Sequence, residues 1–346
     1  MTVETLDGAL DRLPKVELHC HLEGTMRPAT VLELAARHRI ALPTTDLDEL
    51  YRFSSLDGFL SVFWLVQSCL AGRDDWARLA YESVVDAAAH GRVYAESFFT
   101  PARHLAAGQR LGDIIAGLAE GIDAAEAETG ARCQLILDLD RAFGPSAGLE
   151  GVAQLVELRA AGAKGTERVI GIGMDSTELG VDPRSFAPAY AAAGRAGLRL
   201  TAHQGEDTGP AAIAACVDVL GAERIDHGLS IVDDDALVHR FAAERIPLTV
   251  CPTSNVLIAN RVPDLAHHPL ARMRAAGLLA TLNTDDPSLI SLDLGREYAA
   301  VAAAYGWGFD TMVDVAHDGV EASWLDGDEQ RRLHQRIDVA ARSLAP

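Results

Sequence analysis

Basic residues are scarce in this chain: 30 lysines and arginines stand against 50 aspartates and glutamates, a formal charge of −20. That balance argues against a nucleic-acid backbone or an anionic membrane as the main partner. Cysteine is sparse too. Cys20, Cys69, Cys133, Cys216 and Cys251 form no C-x-x-C pair, which suits buried thiols in a reducing compartment rather than a disulfide scaffold. No apolar run is long enough to cross a bilayer. The stretch from Met1 to Leu13 is acidic and lacks the basic-then-apolar order of a signal peptide. A cytoplasmic location is therefore expected. Aromatics make up only 5% of the chain, yet Phe53, Phe59, Phe63 and Trp64 crowd, with Leu56 and Leu65, between Leu50 and Leu70. Helix packing accounts for most of such a cluster, and an insertion here could also form the apolar wall of a pocket.

What the chain has in quantity is apolar material, 49% of its 346 residues, enough for a large core. We read it as one domain over residues 1–346. A strand-like run leads to His19 and His21, and a helical segment of roughly residues 28–90 follows, with Pro28 well placed at a helix start. Further strands are expected at Arg92 to Thr100, Arg132 to Asp140, Arg168 to Asp175 and Leu198 to Glu206. Three more follow at Arg224 to Leu229, Ile246 to Cys251 and Leu278 to Asn283. Helical patterns separate most of them, for example Leu111, Ile115, Leu118, Ile122 and Ala125 before Gly130. Alternation of this kind implies parallel strands with crossover helices. Eight such units predict an α/β fold, a (β/α)8 TIM-type barrel with a helical insertion after the first strand. An open doubly wound sheet is the alternative.

The polar residues that end these runs carry the chemistry. Side chains alternate along a strand, so His19 and His21 share a side while Cys20 points away. Two imidazoles on one face can ligate one metal ion, and Zn²⁺ suits them. His203 ends the fifth run, His227 the sixth, and Asp285 and Asp286 follow the eighth. In a barrel all six meet at the carboxyl-end rim, where such folds hold their active sites. His38, His90, His104, His239, His267, His268, His317 and His334 fall mostly in expected helices or loops and receive no role.

Taken together, LPKVELHCHLEGT, TAHQGE, RIDHG, CPTSN and TLNTDDP make nearly the whole chain resemble the adenosine/adenine deaminase branch of the metal-dependent amidohydrolases. The resemblance implies one zinc ion per chain, held by His19, His21, His203 and Asp285. It also implies that Glu206 and His227 are the acid/base residues and that Asp286 binds a purine. Those roles make chemical sense. A zinc ion lowers the pKa of bound water, His227 can act as base toward that water, and a protonated Glu206 can donate to ring N1. Asp286 can then bond at N7 while Asp285 holds metal. The expected partner is a small 6-aminopurine.

The preferred purine is less defined. Nucleoside deamination is the broader family activity, so adenosine or 2′-deoxyadenosine is the first expectation and free adenine the alternative, with another 6-aminopurine nucleoside also open. Glu23 stands where adenosine-specific members commonly carry Asp. The GIGMDSTE stretch and Phe98 to Pro101 look more like adenine-deaminating members, so Glu23 and Ser176 are candidate substrate-binding residues. Rival classes fit worse. GIGMDS has Ser176 in place of the third glycine of a dinucleotide fingerprint, and the cytidine-deaminase pattern H-x-E with P-C-x-x-C is absent. The fourth strand offers no lysine to bridge two metals. A barrel that only binds purine would not need both proton-transfer candidates.

Overall fold

The computed structural model describes residues 5–53 and 56–345. Ser54, Ser55 and the side chain of Leu56, all within the aromatic-rich segment, lie outside the described residues, as does part of the acidic N-terminal stretch. Eight strands form one sheet: β1 (Lys15–Glu17), β2 (Arg92–Phe99), β3 (Arg132–Asp140), β4 (Val169–Asp175), β5 (Arg199–Gln204), β6 (Arg224–His227), β7 (Leu248–Val250) and β8 (Ala280–Leu282). They pair in sequence order, all parallel.

The last strand returns to the first. Asp285 N donates to His19 O at 3.2 Å and His21 N to Asp285 O at 2.9 Å, while Asn283 Oδ1 accepts from Leu18 N at 2.8 Å. Glu17 adds a side-chain tie, its Oε1 accepting from Thr284 Oγ1 at 2.6 Å and its Oε2 from Arg92 at 2.8 Å. The sheet is thus a nearly closed TIM-type barrel, as the alternation of runs predicted. Its strands are buried on both sides, β2 along its whole length, as expected where helices cover a parallel sheet.

Between β1 and β2 stand the helices Pro28–His38, Leu47–Leu50, Leu56–Gln67 and Arg73–Ala89, which are the expected insertion. Local chemistry sets several boundaries. Pro28 opens its helix, Gly130 closes Leu111–Thr129 in the left-handed conformation, and Asp234 caps Asp235–Glu244 by accepting from Ala236 N and Leu237 N. Two features differ from expectation. The first strand stops at Glu17, so His19 and His21 lie in extended backbone held by isolated bridges to β2 and to Asp285. After the barrel the chain adds the helices Leu294–Tyr305, Phe309–Ala322 and Gly327–Leu344, beyond the eight expected strand–helix units. Among the described residues no helix is long and apolar enough to cross a membrane.

Candidate metal centre

At the carboxyl ends of the strands the imidazoles of His19, His21 and His203 converge on the carboxylate of Asp285. His21 Nε2 lies 3.0 Å from His203 Nε2 and 3.4 Å from Asp285 Oδ1, and His19 Nε2 lies 3.2 Å from the same oxygen. Ligand atoms about 2.0–2.1 Å from a tetrahedral ion stand roughly 3.3 Å apart, so this spacing fits a shared divalent cation. The outer nitrogens face acceptors that turn the Nε2 atoms inward. His19 Nδ1 meets Thr249 O and Oγ1 at 3.2 Å, His21 Nδ1 lies 3.8 Å from Asp138, and His203 Nδ1 lies 3.7 Å from Asp226.

Electrostatics agrees with this geometry. Burial holds His21 down to about 3 and His203 well below its usual range, so both rings are neutral, as ligands must be. Burial works to raise Asp285, but its hydrogen bond to His19 and the nearby imidazoles outweigh that and keep it ionised. Its other oxygen accepts from Ser254 Oγ at 2.5 Å.

A second grouping, His19, His227, Cys251 and Asp285, is also close enough to share an ion.

His227 and Glu206 stand beside this cluster. The His227 ring centroid is 4.5 Å from that of His19, and its Nδ1 is 3.6 Å from Glu206 Oε1. Burial alone would depress His227; the facing carboxylates, Glu206 and Asp285 foremost, outweigh it and raise the imidazole. Burial pushes Glu206 up to about 7. Glu206 reaches its place because Gly205 turns the chain with φ +86°, in a space where a side chain would collide with Ile213. Glu178 then grips the turn, its carboxylate accepting from Gly205 N at 3.0 Å, Glu206 N at 2.9 Å, Thr208 N at 3.0 Å, Gln204 Nε2 at 2.9 Å and Thr208 Oγ1.

The cluster opens into a cavity of roughly 60 Å³. Asp175, Ser176, Glu206 and Asp286 line its polar side, and Phe59, Leu60 and Phe63 from helix Leu56–Gln67 roof it. Gly24 lets Asp286 approach, since a methyl group there would collide with the carboxylate. Several buried acceptors have no partner, among them Asp175 Oδ1, Asp286 Oδ1 and Ser176 Oγ. Burial raises Asp175 to about 8 and Asp286 well above the usual range. Glu23 stands one layer behind the lining. Its Oε1 accepts from Thr100 N at 2.8 Å, its Oε2 is unpartnered, and burial raises it to about 7. A roomier cleft of about 240 Å³ lies elsewhere, among Asp86, His90, Arg92 and Asp293, where no such convergence of imidazoles occurs.

Of the nine candidate side chains, eight meet at this one cavity or in the ligand cluster beneath it, and Glu23 backs it. Sequence reasoning missed Glu178, Asn255, Ser254 and Arg141. Arg141, at the end of β3, bonds Ser176 O at 3.0 Å and also His203 O, fixing the ends of β4 and β5.

Three comparisons bear on this arrangement. The sequence profile described as adenosine deaminase matches residues 14–340. An adenine deaminase of Streptomyces coelicolor is 40% identical over 336 residues, spanning 96% of each chain. The crystal structure of adenine deaminase from Arthrobacter aurescens superposes with a TM-score of 0.90 at 32% identity, covering 95% of this chain and 99% of that one. An amidohydrolase from Burkholderia ambifaria with bound Zn gives the same TM-score at 31% identity, covering 100% and 96%.

Proposed function

The chain belongs to the adenosine deaminase family of hydrolases acting on cyclic amidine C–N bonds, and from that premise we propose that it converts free adenine to hypoxanthine and ammonia with one zinc ion. The breadth of nucleoside deamination in the family put adenosine first and adenine second. The adenine deaminase relatives favour the base over the nucleoside, and the cavity supplies a physical reason.

The observation that carries the reading is a small cavity with unpartnered buried acceptors. Roughly 60 Å³ holds four to six waters at about 10–15 Å³ each. Those waters displace about 30 Å³ apiece, the scale of a bicyclic base with little left for a pentose. Asp175 and Asp286 each present an oxygen without a donor. Free adenine carries an N–H on its five-membered ring, where a nucleoside bears sugar. Such a donor relieves a cost of about 1–3 kcal/mol per unsatisfied buried group.

His19, His21, His203 and Asp285 would hold zinc, which supplies an activated water near neutral pH. The imidazole of His227 holds and directs that water toward C6. Glu206, kept protonated near neutrality by burial, gives its proton to N1, so the ring accepts the attack without a full negative charge. Asp286 pairs with the five-membered edge, and the three apolar roof residues exclude bulk water and hold the ring plane. Glu23 and Ser176 bear on specificity from the polar side, Ser176 directly and Glu23 through Thr100.

Ultraviolet measurement of kcat/KM for adenine, adenosine and 2′-deoxyadenosine tests this reading. Adenine should lead adenosine by about 10²-fold or more, because a site whose polar groups are left unpaired rejects the wrong ligand strongly. Equal or better turnover of adenosine overturns the preference. No turnover of any 6-aminopurine overturns the substrate class.

A further inference from the structure

His268 drew no attention in sequence, yet it begins a chain of hydrogen bonds that ends on both proton-handling residues. Leu270 N lies 3.1 Å from His268 Nδ1, and a backbone N–H can only donate, so Nδ1 accepts. Burial holds this imidazole down to about 4, so the ring is neutral and its proton sits on Nε2. That nitrogen lies 3.2 Å from Asn255 Oδ1 and donates to it. The Asn255 amide is thereby fixed with Nδ2 outward, 2.7 Å from Glu206 Oε1 and 3.1 Å from His227 Nδ1. An amide nitrogen has two hydrogens, one for each acceptor. We propose that His268 and Asn255 are positioning residues that fix which atoms of Glu206 and His227 accept and which carry a proton, through a chain of hydrogen bonds all donated in one direction from the Leu270 N–H.

Two consequences follow. Glu206 Oε1 is committed as an acceptor, so the acid proton rides on Oε2. His227 Nδ1 faces the same amide donor, a bond open only to the neutral ring, so the amide opposes the carboxylates that raise this imidazole and places its proton on Nε2, from which it meets the reacting water as a hydrogen-bond donor. This replaces the base role that the resemblance implied for His227: once Glu206 has given its proton to N1, its carboxylate takes the proton of the attacking water and passes it to the departing amino group, and the hydroxyl proton of the adduct then restores the Glu206 acid. One side-chain amide therefore keeps the two residues in complementary states, which explains a buried Asn at this place. His268 and Asn255 are 13 residues apart, both buried, and meet through this contact between ring and amide.

The kinetic part of the test rests on the deaminase reading, whereas the spectroscopic part does not need turnover. In ¹⁵N-histidine spectra of the zinc-loaded wild type, His227 should show an unprotonated Nδ1 and a protonated Nε2. Asn255→Asp offers a carboxylate that accepts from Nδ1–H and should reverse that tautomer. It should lower kcat for adenine by about 10–100-fold, the usual cost of losing a supporting partner, with KM within about threefold and zinc content unchanged. His268→Ala frees the amide and should lose about tenfold or more in kcat. His268→Gln, whose amide can donate to Asn255, should stay within about threefold of wild type. A protonated Nδ1 in wild-type His227 overturns the proposal. So does an Asn255→Asp enzyme with near-normal kcat, or a His268→Gln enzyme no better than His268→Ala. If Asn255→Asp does not fold, the wild-type spectrum and the two His268 variants still decide. If wild type deaminates no 6-aminopurine, the functional reading fails while the tautomer measurement stands on its own.

Discussion

Replacing Glu178 with Gln tests how the acid residue is held. The carboxylate takes donors from four residues, Oε1 accepting from Glu206 N and Oε2 from Gln204, Gly205 and Thr208. In Glu178→Gln the least costly pose puts the new NH₂ where Oε1 was. It then opposes the Glu206 N–H, which is left without an acceptor at a cost of about 1–3 kcal/mol. The remaining bonds lose their charge assistance, worth together about 2 kcal/mol when the charged and neutral ranges are compared. A total of about 3–5 kcal/mol corresponds to roughly 4–7 °C in Tm for a chain of this length. If the turn relaxes instead of the whole fold, the loss appears in kcat, about 10–100-fold, because Glu206 moves while the purine pocket persists. Calorimetry and steady-state kinetics on adenine, run at equal zinc content, read both. An unchanged Tm together with kcat within threefold of wild type would refute the argument that this carboxylate positions Glu206.

Glu206→Gln should keep fold and zinc yet lose about 10²–10⁴-fold in kcat, since an amide has no proton to give N1. In wild type the acid form is present below about 7 and lost above it, so kcat should fall as pH rises through that value, and the variant should lack this limb. Metal analysis of protein purified without added metal should find one zinc per chain; His203→Ala should lose it, and a chelator should lower both activity and Tm, because a bound ion stabilises only the folded state. Two ions per chain, or unchanged zinc in that variant, would count against the ligand set.

The fold was legible because its signals are local. Each buried parallel strand is a short apolar run, each run ends in a polar residue, and caps such as Asp234 and Gly130 follow from neighbouring residues alone. The candidate ligands were legible for the same reason, since each ends or follows such a run. Parity even survived where the strand did not: His19 and His21 leave the regular ladder, but the backbone stays extended and both rings face the centre. The support around them was not legible. Glu178 acts on residues 26–30 positions away, Asn255 on Glu206 at 49, and Arg141 on Ser176 and His203 at 35 and 62. No spacing rule announces such pairs, because barrel closure alone brings them together. His268 illustrates the point most sharply: a histidine in a helix-rich stretch carries no local mark of the bond it makes to Asn255.

Where the site conflicts with stability, the conflict itself is informative. Ser176, His227 and Asp285 have φ of 72°, 64° and 68°, left-handed values that disfavour side chains and cost of order 1–3 kcal/mol each. They end or follow β4, β6 and β8, and all three line the cavity. Glycine would remove the strain at each position and would also remove the hydroxyl, the imidazole or the carboxylate. Beside them, Asp138, Asp175 and Asp286 are buried carboxyls raised by burial first and then by the charge of a neighbouring acid, Asp175, Asp140 and Asp285 respectively. Interiors normally pair such groups. Here the unpartnered oxygens gather at the one cavity that also holds three converging imidazoles, whereas Glu17 and Glu96, equally deep, are matched to Arg92 and Arg224. Among the described residues, the buried acids with an unpartnered oxygen, Glu23, Asp138, Asp175 and Asp286, all stand at or behind this cavity, and backbone strain at the same rim aims a hydroxyl, an imidazole and a carboxylate into it.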